Sequence, residues 1–171
     1  MTSKAVQLVQ LLRSSKREKR LGTVILFVTS RCNAFCQTCF YHEELNQPGD
    51  LTFAQLKKIS ETMPSITDLW LSGGEPTLRR DISDVIDLFV TNNGVNRIII
   101  PTNGLIKSRV FEIVDRALGN NPAIDLYLNI ALDGYGETHD RVRGVPGNWG
   151  RTLDCIRALY PLKEKYRERF R

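Results

Sequence analysis

Apolar positions along this chain follow two periods in turn. Short β-branched and aromatic stretches alternate with longer runs in which apolar residues recur every three or four positions. "TVILFVT" (23–29) predicts a buried strand. A helix is expected over 53–62, with Thr52 and Gln55 forming a capping box at its start. "ITDLWL" (66–71), "VNRIII" (95–100) and "AIDLYLNIAL" (123–132) predict three more strands. Helical spacing follows each of them. It is carried first by Ile82, Val85, Ile86, Leu88 and Phe89, and next by Val110, Ile113, Val114 and Leu118. The last run spans about 149–169, where Pro161 bends or interrupts the helix. Residues 4–20 carry a further apolar helical face, expected to pack against the core.

Four apolar strands, each followed by a helix, predict an α/β fold: a parallel sheet covered by helices, closed into a barrel or part of one. No linker or shift in composition marks a second folding unit, so residues 21–171 read as one core preceded by an N-terminal helix over 1–20. In such an architecture the loops after the strands share one face, where active sites are found. Cys32–Cys39, Gly73–Pro76, Thr102–Gly104 and Asp133–Gly134 all fall in those loops.

Composition refines this picture. The 171 residues are 42% hydrophobic and 25% charged, as in an ordinary globular protein. No apolar run approaches the roughly 20 residues that span a bilayer, and the N-terminus lacks signal-peptide character. A cytoplasmic protein without membrane contact is expected. The net charge of +5 sits at the two ends, in "RSSKREKR" and "KEKYRERFR". Between them, residues 21–162 hold thirteen basic and sixteen acidic residues, which argues against nucleic acid as a partner.

The candidate chemistry begins at "SRCNAFCQTCFYH" (30–42), where Cys32, Cys36 and Cys39 lie within eight residues. In a reducing compartment such thiols point to a metal or to redox chemistry rather than to disulfides. His42 as a fourth ligand would make a Cys3His zinc staple. Without it, the three thiolates suit a [4Fe–4S] cluster with one iron left open. The spacing alone leaves both readings standing. Cys155 lies among Leu153, Ile156 and Leu159 and is expected to be a buried apolar residue. "GGEP" (73–76) offers close backbone approach at Gly73 and Gly74, a carboxylate at Glu75 and a rigid turn at Pro76. His139 is expected to order its loop by hydrogen bonds, and Trp70 and Trp149 to pack in the core or against loops.

A C-x3-C-x2-C loop after the first strand and GGEP after the second resemble the radical S-adenosylmethionine (radical SAM) superfamily. "PTNG" after the third strand and "ALDGYGETHDRVRGVPGNW" around the fourth resemble its maturase and molybdenum-cofactor-synthase-like subset. The resemblance implies that Cys32, Cys36 and Cys39 ligate a [4Fe–4S] cluster whose open iron takes the methionine part of S-adenosylmethionine. It implies that Gly73, Gly74 and Glu75, with Pro76, hold the amino group. Arg143 is implied for the carboxylate, with Asn103 and Asp133 lining the pocket. Reductive cleavage of S-adenosylmethionine would then give a 5′-deoxyadenosyl radical that modifies a peptide or small-molecule substrate, with an electron-donor protein as partner.

Three departures from the family pattern stand out. Thr38 occupies a position before the third cysteine that is often aromatic, for which Phe35 or Phe40 could substitute. Ala131 replaces a frequent serine, with Asn129 nearby. The usual core has six strand–helix units and this chain shows four, with nothing after residue 160 expected to cover the edge of the fourth strand. The core is therefore expected to be C-terminally incomplete, closed by a missing region or by a partner. Two other readings stay open: a non-catalytic cluster-binding partner subunit, and a zinc-stapled binding module.

Overall fold

The structure, a computed structural model, describes residues 21–171, so the helix expected over 4–20 lies outside the described residues. Strands β1 (Thr23–Thr29), β2 (Asp68–Gly73), β3 (Arg97–Thr102) and β4 (Asp125–Ile130) form one parallel sheet in the order β1-β2-β3-β4. Helices α1 (Phe53–Thr62), α2 (Ile82–Asn93) and α3 (Lys107–Asn120) make the three crossovers. After β4 come α4 (Glu137–Arg143), α5 (Asn148–Ala158) and α6 (Tyr160–Tyr166). No helix among the described residues is long and apolar enough to cross a membrane.

Successive strand residues point to opposite faces of the sheet. Val28, Leu69, Leu71, Ile98, Ile100 and Leu126 pack with Leu56, Ile86, Phe89, Ile113, Val114 and Leu118 in one core between sheet and helices. The opposite face is also apolar, but the helices among the described residues leave it largely uncovered. Strand register aligns Ile25, Trp70, Ile99 and Tyr127 in a row across it. Ile25 is 59% exposed and Trp70 38%. Among the described residues the helices cover one side of the sheet, as expected of a partial barrel, and one expectation is corrected: Trp70 is not a core residue. The strands read as uniformly apolar because the second face is the concave side of a partial barrel.

The capping box at α1 forms as expected, with Thr52 Oγ1 accepting from the Gln55 amide and the Gln55 side chain accepting from the Thr52 amide. Thr52→Ala is expected to lower stability by about 1 kcal/mol, read as a lower urea midpoint at unchanged slope.

Pro161 does interrupt the last helical run. Leu159 ends α5, and the proline falls in the first turn of α6, where its missing N–H costs nothing. The edge of β4 is partly covered, contrary to expectation. Buried Phe170 bridges to Leu126 in parallel. The Arg171 amide donates to the Leu126 carbonyl and the Leu128 amide to the Arg171 carbonyl, each at 2.9 Å. A lone aromatic in the charged run "RERFR" has no periodicity to announce a strand.

Candidate functional site

The loops after the four strands converge as the sequence suggests. Cys32, Cys36 and Cys39 line one pocket with Gly73, Gly74, Glu75, Asn103 and Arg143. Thr38, Phe40, Ser72, Pro101, Thr102 and Ala131 complete most of the wall. Of the two aromatics that could substitute at the Thr38 position, Phe40 lines this pocket and Phe35 does not. Asn129 is also absent from the wall. Ser72, Pro101 and Ala131 continue the rows of the concave sheet face, so the pocket opens onto that apolar surface.

Glu75 is the buried carboxylate of the site, 3% exposed. Its Oε1 accepts from the Thr77 amide (3.2 Å), the Thr77 hydroxyl (2.6 Å) and the Thr102 hydroxyl (2.8 Å). Among the described residues, Oε2 accepts only from the Asn103 amide, at 2.7 Å. Pro76 does not line the pocket; it is buried and opens the short 3-10 turn that aims the Thr77 amide back at Glu75. Thr77, beside GGEP, is a site residue that the sequence reading missed, and Thr102, inside the quoted PTNG, was given no role by it.

Gly73 and Gly74 are packed against the residues that lead into the cysteine loop. A Cβ at Gly74 would overlap the Arg31 carbonyl oxygen and stand 2.7 Å from that of Ser30. The Gly74 amide donates to Thr29 O (2.8 Å) and the Glu75 amide to Arg31 O (2.7 Å). The two loops therefore run side by side with their backbones in contact.

Further bonds hold the cysteine loop in place. The Cys32 amide donates to Asn46 Oδ1 at 3.0 Å, and the Asn46 amide to Ser30 O at 2.9 Å. Asp50 accepts from the Thr29 hydroxyl and the Ser30 amide, each at 2.6 Å. Asn103 Nδ2 donates to Asn33 Oδ1 at 2.8 Å, joining the third loop to the first. Lost hydration pushes the Asp50 carboxyl up, but the bonds from Thr29 and Ser30, with Arg79 nearby, leave it below its ordinary value. Asp50→Asn should cost about 1 kcal/mol at neutral pH, held low because Asp50 is exposed. A depressed folded value means this stability is complete above roughly pH 4, the unfolded value, and is lost as pH falls through the folded one. Urea midpoints of the two proteins should differ at pH 7 and converge in stronger acid.

Arg143 and Asp133 do not both face the pocket. Arg143 lines it, and its Nη1 donates to Asp133 Oδ2 at 2.9 Å, so Asp133 stands behind the arginine. Among the described residues, Arg143 Nε is buried without a partner. His139 orders the loop as expected: it is fully buried, and its Nδ1 accepts from the Asp133 amide at 3.1 Å. Trp149 packs edge-on to it and against Tyr135. Cys155 is buried in the core, which pushes its thiol up to about 11.

Two observations bear on what the three cysteines can hold. Burial pushes the Cys32 and Cys36 thiols above their ordinary value, opposed at Cys36 chiefly by the Arg143 guanidinium. Ligation would therefore have to displace their protons. Among the described residues, no three His, Cys, Asp or Glu side chains converge tightly enough to hold a single metal ion. A lone tetrahedral zinc needs all its ligands about one short bond away. A cubane cluster takes each thiolate at a separate iron, which lets the sulfurs stand farther apart around one pocket. Three cysteines on one pocket fit such a cluster, and His42 does not line that pocket.

The family model of the radical SAM superfamily matches residues 26–163. The chain belongs to the radical SAM superfamily. Members of this superfamily use a [4Fe–4S] cluster and S-adenosylmethionine. Among curated relatives, the pre-heme d1 synthase of Dinoroseobacter shibae is 32% identical over 79% of this chain and 32% of its own length. The AdoMet-dependent heme synthase of Methanosarcina barkeri is 36% identical over 77% of this chain and 37% of its own. The GTP 3′,8-cyclase of Rhodopirellula baltica is 28% identical over 82% of this chain and 39% of its own. The chain thus spans between 32% and 39% of the length of these relatives. A solved structure, hexahistidine-tagged anSMEcpe with bound AdoMet, superposes with a TM-score of 0.62 at 22% identity, covering 88% of this chain and 42% of that one. That likeness supports the partial-barrel fold.

Proposed function

We propose that Cys32, Cys36 and Cys39 ligate a [4Fe–4S] cluster beside a bound S-adenosylmethionine, and that the protein modifies a small-molecule substrate by radical chemistry. The observation that carries this is the single pocket shared by the three cysteines and the buried Glu75 carboxylate. When bound, cluster and S-adenosylmethionine together supply a 5′-deoxyadenosyl radical able to take a hydrogen atom from a substrate.

The chain's own residues divide the remaining work. Glu75 Oε1 is saturated by three donors, so Oε2 is the oxygen available to an ammonium group, in a charge-assisted hydrogen bond. Gly73 and Gly74 let the backbone before Cys32 pack directly against theirs, which keeps Glu75 beside the cysteines. Arg143, which lines the pocket, takes the carboxylate in this reading, with Asp133 holding its guanidinium from behind. Asn103 fixes the pocket wall through Asn33.

A heme-type substrate is the first to test. Two of the three relatives described above are named for heme-type products. The exposed side chains Ile25, Phe27 and Trp70, on the sheet face that leads to Ser72 in the pocket wall, suit a large flat apolar molecule better than a nucleotide. An electron-donor protein is the implied partner. The reconstituted, dithionite-reduced protein is expected to convert S-adenosylmethionine into methionine and 5′-deoxyadenosine. A full cluster that produces no deoxyadenosine would contradict the catalytic reading and favour a non-catalytic cluster-binding subunit.

A further inference from the structure

We propose that Gly144 and the carbonyl end of α4 are a positioning device for Cys36. The proposal rests on the cofactor reading only for its purpose, since the grip itself is a feature of the protein. Helix α4 contributes little to the core: His139 is its one buried residue. Its last carbonyls, which a helix leaves without internal partners, are taken instead by the cysteine loop. The Phe35 amide donates to Arg143 O at 3.1 Å and the Gln37 amide to Val142 O at 2.9 Å, one on each side of Cys36.

Gly144 closes the contact. It adopts φ +65°, and a Cβ there would overlap the Phe35 carbonyl oxygen and lie 3.0 Å from its carbon. Only a residue without a side chain lets the two backbones meet. The support behind this grip is polar and firm. Asp140 accepts from the Gly147 and Trp149 amides at the start of α5, and the Asp133 amide donates to buried His139. The Cys39 amide donates to the Cys36 carbonyl, so Cys39 follows Cys36. Cys32 is held separately, by Asn46.

The test compares Gly144→Ala with Gly147→Ala. Gly147 has a similar φ of +74° but nothing within 4 Å of a built Cβ, so it reproduces the backbone strain without the contact. Site-resolved alkylation of the metal-free chain by iodoacetamide is followed by mass spectrometry, with the buried Cys155 as internal reporter of global opening. In Gly144→Ala, Cys36 is expected to react roughly threefold or more faster than in the wild type, Cys39 less so, with Cys32 and Cys155 unchanged. Gly147→Ala should match the wild type. Iron and sulfide bound after anaerobic reconstitution should fall to roughly half or less in Gly144→Ala alone. Equal Cys36 rates in both variants, or a rise at Cys155 in step with Cys36, would overturn the proposal. If the wild type bound no cluster at all, the cofactor reading would fail, and the thiol ratios would still decide the grip.

Discussion

Gly74→Ala is expected to lose about 3 kcal/mol of stability and most of its capacity to bind a cluster. The added methyl group would overlap the Arg31 carbonyl oxygen and crowd that of Ser30. Both obstacles are backbone atoms immediately before Cys32, so no side-chain rotation relieves them. The loop after β1 must move away from the loop after β2. That movement breaks the bonds from Gly74 to Thr29 and from Glu75 to Arg31. Gly150→Ala is the matched control. Gly150 sits within α5 with nothing within 4 Å, and the substitution should raise stability by roughly 0.5–1 kcal/mol through helix propensity. Denaturation midpoints should separate the two in opposite directions, and iron content should fall only in Gly74→Ala.

Glu75→Gln should cost roughly 2–4 kcal/mol and weaken S-adenosylmethionine binding by about ten- to a hundredfold. The carboxylate accepts from four donors on Thr77, Thr102 and Asn103. An amide in its place must turn its NH2 group towards at least one of them. If the NH2 takes the Oε2 position, it faces the Asn103 amide and removes the one acceptor free for an ammonium. If it takes the Oε1 position, it faces three donors at once. Either orientation leaves buried donors opposed. Equilibrium binding of S-adenosylmethionine to cluster-loaded protein reads the affinity, and urea unfolding reads the stability. An unchanged affinity would show that Glu75 organises the loops without touching the ligand.

Much of the architecture was legible because each element advertises its period. β1 and α1 run over the residues expected of them, and the apolar positions named for α2 and α3 are nearly all buried. The expected starts of β2, β3 and β4 came two residues early for a physical reason. Ile66, Val95 and Ile124 are buried in the approach to each strand without belonging to it. Apolarity marks burial there, not ladder pairing. Helix α4 gave no signal because a segment with one buried residue has no hydrophobic period.

The site divides in the same way. The three cysteines, Gly73, Gly74, Glu75, Asn103 and Arg143 were recognisable from local motifs, and they meet at one pocket. The residues that hold them were not. Thr102 reaches Glu75 from 27 positions away, Asn103 reaches Asn33 from 70, and the α4 carbonyls reach Phe35 and Gln37 from still farther along the chain. Such bonds exist only once the sheet has brought the loops together. Asp133 shows the converse, since a residue placed by motif in the pocket wall instead supports Arg143 from behind.

The central claim is that Cys32, Cys36 and Cys39 carry an iron–sulfur cluster. Its most direct test is the iron, acid-labile sulfide and zinc content after anaerobic reconstitution, for the wild type and for the Cys32/Cys36/Cys39→Ala triple variant. The account predicts about four irons and four sulfides per chain in the wild type and almost none in the variant. One tightly held zinc without sulfide would contradict it and leave a zinc-stapled loop in its place.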